Sequence, residues 1–319
     1  MTSVHRAPDH ALSDLRRDVR DGMRQRQKEI PPRYFYDQRG SELFEEITRL
    51  PEYYLTRAER GLLERHAPAA IASTGSRTLV EFGAGSGEKT RILIDALHRP
   101  DRPLTWVPVD LSDEFLEASS GRIAGEYAGL RVRPIIGDIT RPIPLPADLS
   151  VPRLFAFLGS TIGNFDDPTA TSMLRSMRSS MMEEDSLLLG ADLHKDAQTI
   201  ENAYNDSAGV TAEFNRNVLR VINRELGASF PVEDFEHVAF YNAGEHQIEM
   251  HLASRRERTV PIPGVGDVRF ERGETIRTEI SRKYDPSAIR QLLSAAGLVV
   301  TEWMIDPAHC YALVLARPA

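Results

Sequence analysis

Hydrophobic positions along this chain change their rhythm twice. Between residues 78 and 192, short, largely apolar runs at 79–82, 104–109, 132–136, 154–158 and 187–189 alternate with stretches of helical spacing. Runs of that length predict strands buried on both faces, and their alternation with helices predicts a parallel α/β sheet. Upstream, 11–27 reads as a helix with a stripe of Leu12, Leu15, Val19 and Met23, stopped by Pro31 and Pro32. Leu43, Phe44 and Ile47 mark a second helix, 57–73 a third, and residues 1–10 are polar and expected to fray. Downstream, 197–223 is helical with Tyr204, Phe214 and Val218 turned inward. The period then falls to two at 237–241, 247–252, 268–272 and 275–281, separated by turns at Ala243-Gly244, Pro263-Gly264 and Arg272-Gly273. A helix at 287–296 and strands at 299–305 and 311–315, joined through Asp306-Pro307, return the chain to its first sheet. The expected division is an N-terminal segment 1–57, a sheet domain of 58–193 with 282–319, and an inserted α+β domain 194–281.

Composition narrows the function classes. The 319 residues, 41% apolar and 27% charged, suffice for a sizeable core. An excess of 47 acidic over 39 basic residues, net charge −8, argues against a nucleic-acid surface. Cys310 is the single cysteine, which excludes an intramolecular disulfide and a multi-cysteine metal site. No apolar run reaches transmembrane length and the N-terminus lacks an apolar signal core. A cytoplasmic, monomeric small-molecule enzyme without membrane or nucleic-acid partners is expected.

The chemistry centres on residues 78–91. The first strand breaks on glycines at alternate positions, Gly83, Gly85 and Gly87, and re-enters as a helix with Ile92, Leu93, Ala96 and Leu97. Glycines there let a ligand approach the backbone, and the free N–H groups of the helix start favour electron-rich atoms. Glu88 stands where a dinucleotide-binding loop needs its third glycine and where a P-loop needs its last. A carboxylate at that place repels phosphate. The acidic-x-Gly-x-Gly-x-Gly run from Glu81 through Gly87 is instead similar to the first motif of S-adenosylmethionine (SAM) dependent methyltransferases, whose ligand is a sulfonium cation without phosphate.

Other candidates follow the strand ends. Asp110 ends the second strand, where an acid can bind ribose hydroxyls, and Asp138 ends the third, a position that in methyltransferases usually meets the adenine. For each acid alone, a turn or helix cap is the plainer reading. Ser112 is expected to cap the next helix, with Phe115, Leu116 and Ile123 on its core side. The fourth strand runs into Gly159-Ser160-Thr161-Ile162-Gly163-Asn164, small and amide residues where open sheets hold ligands. Tyr34, Tyr36, Tyr53 and Tyr54 crowd a short span, fitting either domain packing or a lid whose phenols bind a polar ligand.

Taken together, Pro31–Asp37, Leu50–Tyr54, Phe157–Asn164, Ala208–Thr211, Phe214–Asn217 and Thr278–Ser281 resemble, in order and over nearly the whole chain, the L-histidine Nα-methyltransferases of ergothioneine biosynthesis. Their wider family includes fungal enzymes acting on tryptophan derivatives. The resemblance implies a class I methyltransferase fold with an inserted substrate-binding domain. It implies that Tyr36, Gly83, Lys89, Asp110, Asp138 and Ser160 hold SAM, with Glu81, Gly85 and Ile139 beside them. Ile139 stands where an aromatic is expected, which weakens adenine stacking. It further implies that Tyr53, Gly159, Asn164 and Tyr204 hold the amino-acid backbone, that Glu279 and Ser281 bond the imidazole, and that Met250 and Phe214 shape the pocket. A carboxylate and a hydroxyl satisfy the two imidazole nitrogens, whereas indole offers one donor and more bulk. Glu279 and Ser281, two apart on a strand, share a face. Tyr36 and Asn164 are the candidates for orienting the reacting amine, and no metal is expected. The alternatives are the same chemistry on another amino acid such as tryptophan, and a non-catalytic sensor of SAM or an amino acid.

Overall fold

Strand Thr78–Phe82, buried at every residue, pairs in parallel with Thr105–Asp110 on one side and Arg153–Phe157 on the other. A continuous apolar run is stable only in this central place, covered on both faces. The computed structural model describes residues 5–6, 11–85, 87–99, 101–111, 113–308 and 310–319, with the backbone alone at 5, 6, 11 and 113–115. The chain divides into two compact units, one of Met1–Ala7, Tyr54–His194 and Arg282–Ala319, the other of Pro8–Tyr53 and Lys195–Ser281.

In the first unit the chain steps outward from Thr78–Phe82 through Thr105–Asp110 to Ile135–Ile136. It then crosses back to lay down Arg153–Phe157 and Ser186–Asp192, all parallel. Tyr311–Pro318 and Leu298–Ile305 complete the sheet as an antiparallel hairpin. This is the expected Rossmann-like α/β sheet. The strand order reverses beside Thr78–Phe82, and that switch point is where such sheets bind ligands. Helices Asp167–Ser179 and Pro286–Ala295 begin where Asp166 and Asp285 accept hydrogen bonds from Thr169 N and Ala288 N, at 2.9 and 2.8 Å.

Three expectations change in this unit. The helix at 57–73 is two, Tyr54–Arg65 and Ala67–Ser73, parted at His66 because Pro68 can occupy only a helix start. The strand at 132–136 is two short pieces, Arg131–Val132 and Ile135–Ile136, since Pro134 has no N–H to donate. Within residues 1–10, expected to fray, His5–Arg6 pairs in parallel with Ile135–Ile136, and the rest lie outside the described residues. Ser112, expected to cap, and the side chain of Phe115 also lie outside them, whereas Leu116 and Ile123 are buried.

In the second unit helix Ala11–Gly22 ends short of the expected residue 27. A Cβ at Gly22 would overlap Glu29 O, so the chain turns back there and Lys28–Glu29 pairs in parallel with Ile276–Arg277. Leu15, Val19 and Met23 are buried, but Leu12 is 48% exposed and falls outside the stripe. The helix expected over 197–223 is two, Ala197–Tyr204 and Val210–Leu226. Asp206 starts the second by accepting from Val210 N and Thr211 N, both at 2.8 Å, after Gly209 turns the chain at φ 74°. The sheet has the order Lys28–Glu29, Thr275–Arg282, Gln247–Ser254, Phe235–Asn242. Strand Arg258–Ile262, hidden in the sequence by Arg258, Thr259 and Pro261, forms a separate antiparallel hairpin with Gly266–Phe270. Among the described residues no helix is long and apolar enough to cross a membrane.

Candidate active site

In the first unit the glycine loop is built from backbone. Gly83, Gly85 and Gly87 have φ of 70°, 53° and 75°, in the left-handed region. A Cβ at Gly83 or Gly85 would meet no atom within 4 Å, so conformation requires those glycines and crowding does not. At Gly87 a Cβ would also overlap the Ile123 side chain, which sets the approach of helix Glu88–Leu97 to its neighbour. Gly83 N donates to Val109 O at 2.8 Å and Gly85 N to Asp110 Oδ2 at 3.2 Å, tying the loop to the next strand's end. Glu81 is buried, and its Oε2 accepts from Thr90 Oγ1 at 2.7 Å and Trp106 Nε1 at 3.0 Å. Burial pushes its carboxyl up to about 7, against the pull of those two donors. Glu81 therefore braces the strand against the helix beyond the loop.

The other strand ends are less uniform. Asp138 Oδ1 accepts from Thr140 N at 2.9 Å and Thr140 Oγ1 at 2.6 Å, the turn-capping role that its residue type alone suggests. Ile139 packs against the hydrophobic core. After the fourth strand, Gly159 at φ 77° and Ser160 at φ 57° turn left-handed in succession, and Thr161–Asn164 follows as a short 3-10 turn that ends on half-buried Asn164. A serine in that conformation is strained and must be held. Ser160 Oγ accepts from Asp192 N at 2.9 Å, and Gly159 N donates to Glu59 Oε1 at 2.7 Å. Asp192 in turn bonds Lys283 Nζ at 2.9 Å, both side chains fully buried, and accepts from the Tyr54 hydroxyl at 2.6 Å.

The second unit gathers its candidates through aromatic rings. Tyr36 meets Phe44 and Phe214, each with ring centroids 5.7 Å apart. Phe44 meets Tyr53 at 6.3 Å, and Tyr53 meets Tyr204 at 6.2 Å. Tyr36, Tyr53, Tyr204 and Phe214, distant in sequence, thus belong to one cluster with Phe44 as the link. The tyrosine-rich span is split: Tyr34 bonds Asp18, and Tyr54 belongs to the first unit. Met250 is buried on strand Gln247–Ser254; Glu279 at 8% exposed and Ser281 at 2% share one face of Thr275–Arg282. Beneath them runs a buried amide network. Thr278 Oγ1 donates to Asn215 Oδ1 at 2.6 Å, and Asn215 Nδ2 donates to His237 Nδ1 at 2.8 Å. His237 Nε2 therefore carries the proton given to Tyr204 O at 2.9 Å. Burial lowers the His237 pKa, which keeps the ring neutral as this chain of bonds requires.

Glu59, Asp192, Lys283, Asn215 and His237 were not foreseen. Glu59 and Lys283 sit among other charged residues, and nothing in the local pattern sets them apart from a solvated face. Asn215 alone had a signal, its place in the stretch 214–217. Among the described residues no group of three His, Cys, Asp or Glu side chains could hold a metal ion.

Comparison with known proteins agrees with this fold. A solved SAM-dependent methyltransferase from Clostridium acetobutylicum shares the fold, with a TM-score of 0.50 at 12% identity, covering 83% of this chain and 95% of its own. A histidine N-alpha-methyltransferase of Mycolicibacterium smegmatis is 43% identical over 97% of each chain. One of Mycobacterium tuberculosis is 43% identical over 98% of this chain and 97% of its own. Residues 15–318 match the family described as histidine-specific, SAM-dependent methyltransferases, and the chain belongs to that family.

Proposed function

We propose that this chain transfers methyl groups from SAM to the α-amino group of free L-histidine, three times over, giving hercynine in the first step of ergothioneine biosynthesis. The observation that carries the choice of histidine is the buried pair Glu279 and Ser281 on one strand face. A carboxylate and a hydroxyl so placed match the two nitrogens of an imidazole and fix its tautomer. An indole offers a single donor and more bulk, so it matches this pair less well.

The donor's sulfonium supplies an electrophilic methyl group, so the protein need form no covalent intermediate. Its work is alignment and delivery of a neutral amine. In the first unit Gly83 and Gly85 present backbone, Lys89 takes the donor's carboxylate, Asp110 its ribose, and Asp138 and Ile139 its adenine, with Ser160 completing the set. Glu81 acts on the donor through the loop it braces. Tyr53, Tyr204, Asn164 and Gly159 hold the acceptor's amino-acid backbone, Phe214 and Met250 shape its surroundings, and Tyr36 and Asn164 orient the amine's lone pair. We place the enzyme in the cytoplasm as a monomer, without membrane or nucleic-acid partners; net charge −8 and a single cysteine accord with this.

Mass spectrometry after incubation with SAM and, separately, histidine, tryptophan or tyrosine tests the reading. Trimethylated histidine alone is expected. Methylated tryptophan in its place would overturn the imidazole assignment, and no product with SAM bound would point to a sensor.

A further inference from the structure

Glu59 lies on helix Tyr54–Arg65, outside every ligand motif, yet it is 1% exposed and surrounded by donors. Lys89 Nζ donates to its Oε2 at 2.7 Å. Gly159 N and the Tyr311 hydroxyl donate to its Oε1 at 2.7 and 2.6 Å. A buried carboxylate is tolerated only with such partners. The fold also makes room for it. Gly190 interrupts the buried strand Ser186–Asp192, and a Cβ there would overlap Glu59 Oε1 and come within 2.7 Å of the Tyr311 hydroxyl. Gly190 has no positive φ, so the space taken by Glu59 and Tyr311, not backbone conformation, requires glycine at that point.

We infer that Glu59 is the positioning residue of the donor site, locking Lys89 and the Gly159 backbone into the geometry that receives the amino-acid tail of SAM. This rests on the assignment of Lys89 and the neighbouring loops to SAM above. Lys89 follows the first strand and Gly159 the fourth, so no local sequence rule fixes their spacing; the shared carboxylate does. A Cβ at Gly159 would lie 3.4 Å from Lys89 Nζ, which shows how closely the two are drawn together. An ammonium has three N–H donors, and Glu59 engages one while holding the group in place. Glu59 thus acts on the tail through Lys89 and Gly159 and leaves the nucleoside alone.

The test compares two ligands, S-adenosylhomocysteine, which has the tail, and 5′-methylthioadenosine, which lacks it. By calorimetry, Glu59→Gln is expected to weaken S-adenosylhomocysteine roughly tenfold, the size of one charge-assisted hydrogen bond. It should change 5′-methylthioadenosine by less than about twofold and raise the KM for SAM with little effect on the KM for histidine. The double variant with Lys89→Met should lose less affinity than the two single losses combined, because only the Gly159 part of the Glu59 effect remains to be lost. Equal weakening of both ligands, or none of either, would overturn the inference. If Lys89→Met itself leaves S-adenosylhomocysteine affinity intact, the donor-site assignment has failed first. Should Glu59→Gln not fold, Tyr311→Phe, which removes one donor and keeps the ring, decides by the same comparison of tailed and tailless ligands.

Discussion

The candidate residues of the two units are built by different means. In the first unit the candidate site is largely backbone. Gly83, Gly85, Gly159 and Ser160 take left-handed conformations at strand ends; the buried Glu59 carboxylate holds Gly159, the Asp192 backbone N–H holds Ser160, and Glu81 braces the helix beyond the glycine loop. In the second it is side chains. Tyr36, Tyr53, Tyr204 and Phe214 are joined ring to ring, and Glu279, Ser281 and Met250 are set into a sheet. Backbone recognition depends on chain path and tolerates few changes of residue. Side-chain recognition can be rewritten one residue at a time without disturbing the path. On the proposed function, the difference teaches where a change of substrate would be encoded, namely in the second unit.

The largest expected effect breaks that division. Asn164 belongs to the first unit by position, yet it is assigned to the acceptor's amine. Asn164→Ala should lower kcat/KM for histidine about 100-fold through lost alignment, with SAM affinity within about twofold. A loss of SAM affinity as large as the loss of rate would make Asn164 a donor residue and restore the division. Next, Glu279→Ala with Met250→Val should shift the ratio of kcat/KM for histidine over tryptophan toward tryptophan by at least tenfold, because it removes an imidazole partner and makes space. Unchanged histidine kinetics would remove both residues from the pocket.

A smaller effect sharpens the backbone half. Gly85→Ala places a Cβ on a residue at φ 53°, a strain of about 1 kcal/mol, and should weaken SAM several-fold while the KM for histidine holds. Calorimetry with S-adenosylhomocysteine reads it directly. The last concerns stability, not activity. Glu81 holds its proton in the fold up to about pH 7, against 4.5 as its ordinary value. The folded state therefore binds more protons across that window, and this group's contribution is full below pH 4.5 and lost as pH rises through 7, a swing of roughly 3 kcal/mol. Glu81→Gln should flatten the melting temperature between pH 4.5 and 7 and raise it by a few degrees at pH 8. An unchanged pH slope would mean that Glu81 ionises freely in the fold.

Much of this was legible because the signals are local. The central strands of the main sheet are largely apolar runs that have no stable place except a sheet interior, and the loops after Thr78–Phe82 and Arg153–Phe157 announce themselves by glycine. Errors fell where a long-range contact overrides the local pattern. Helix Ala11–Gly22 stops early because Gly22 packs on Glu29, and the helix read through 197–223 divides where Asp206 can cap a new start. Asp138 shows a position with two readings: its strand-end place suggests a ligand, and in the fold its Oδ1 also accepts from Thr140 as a turn cap does.

By itself the sequence determined the parallel sheet, the glycine loop and the kind of ligand that loop excludes. Periodicity, backbone conformation and side-chain chemistry are properties of neighbouring residues. Only the tertiary structure decided which polar groups share a partner. Glu59 reaches Lys89, Gly159 and Tyr311 across separations of 30, 100 and 252 residues, and Asn215 joins Thr278 to His237 across 63 and 22. A buried charge must find its donors wherever the chain brings them. No stretch of sequence specifies that pairing until the whole chain has folded.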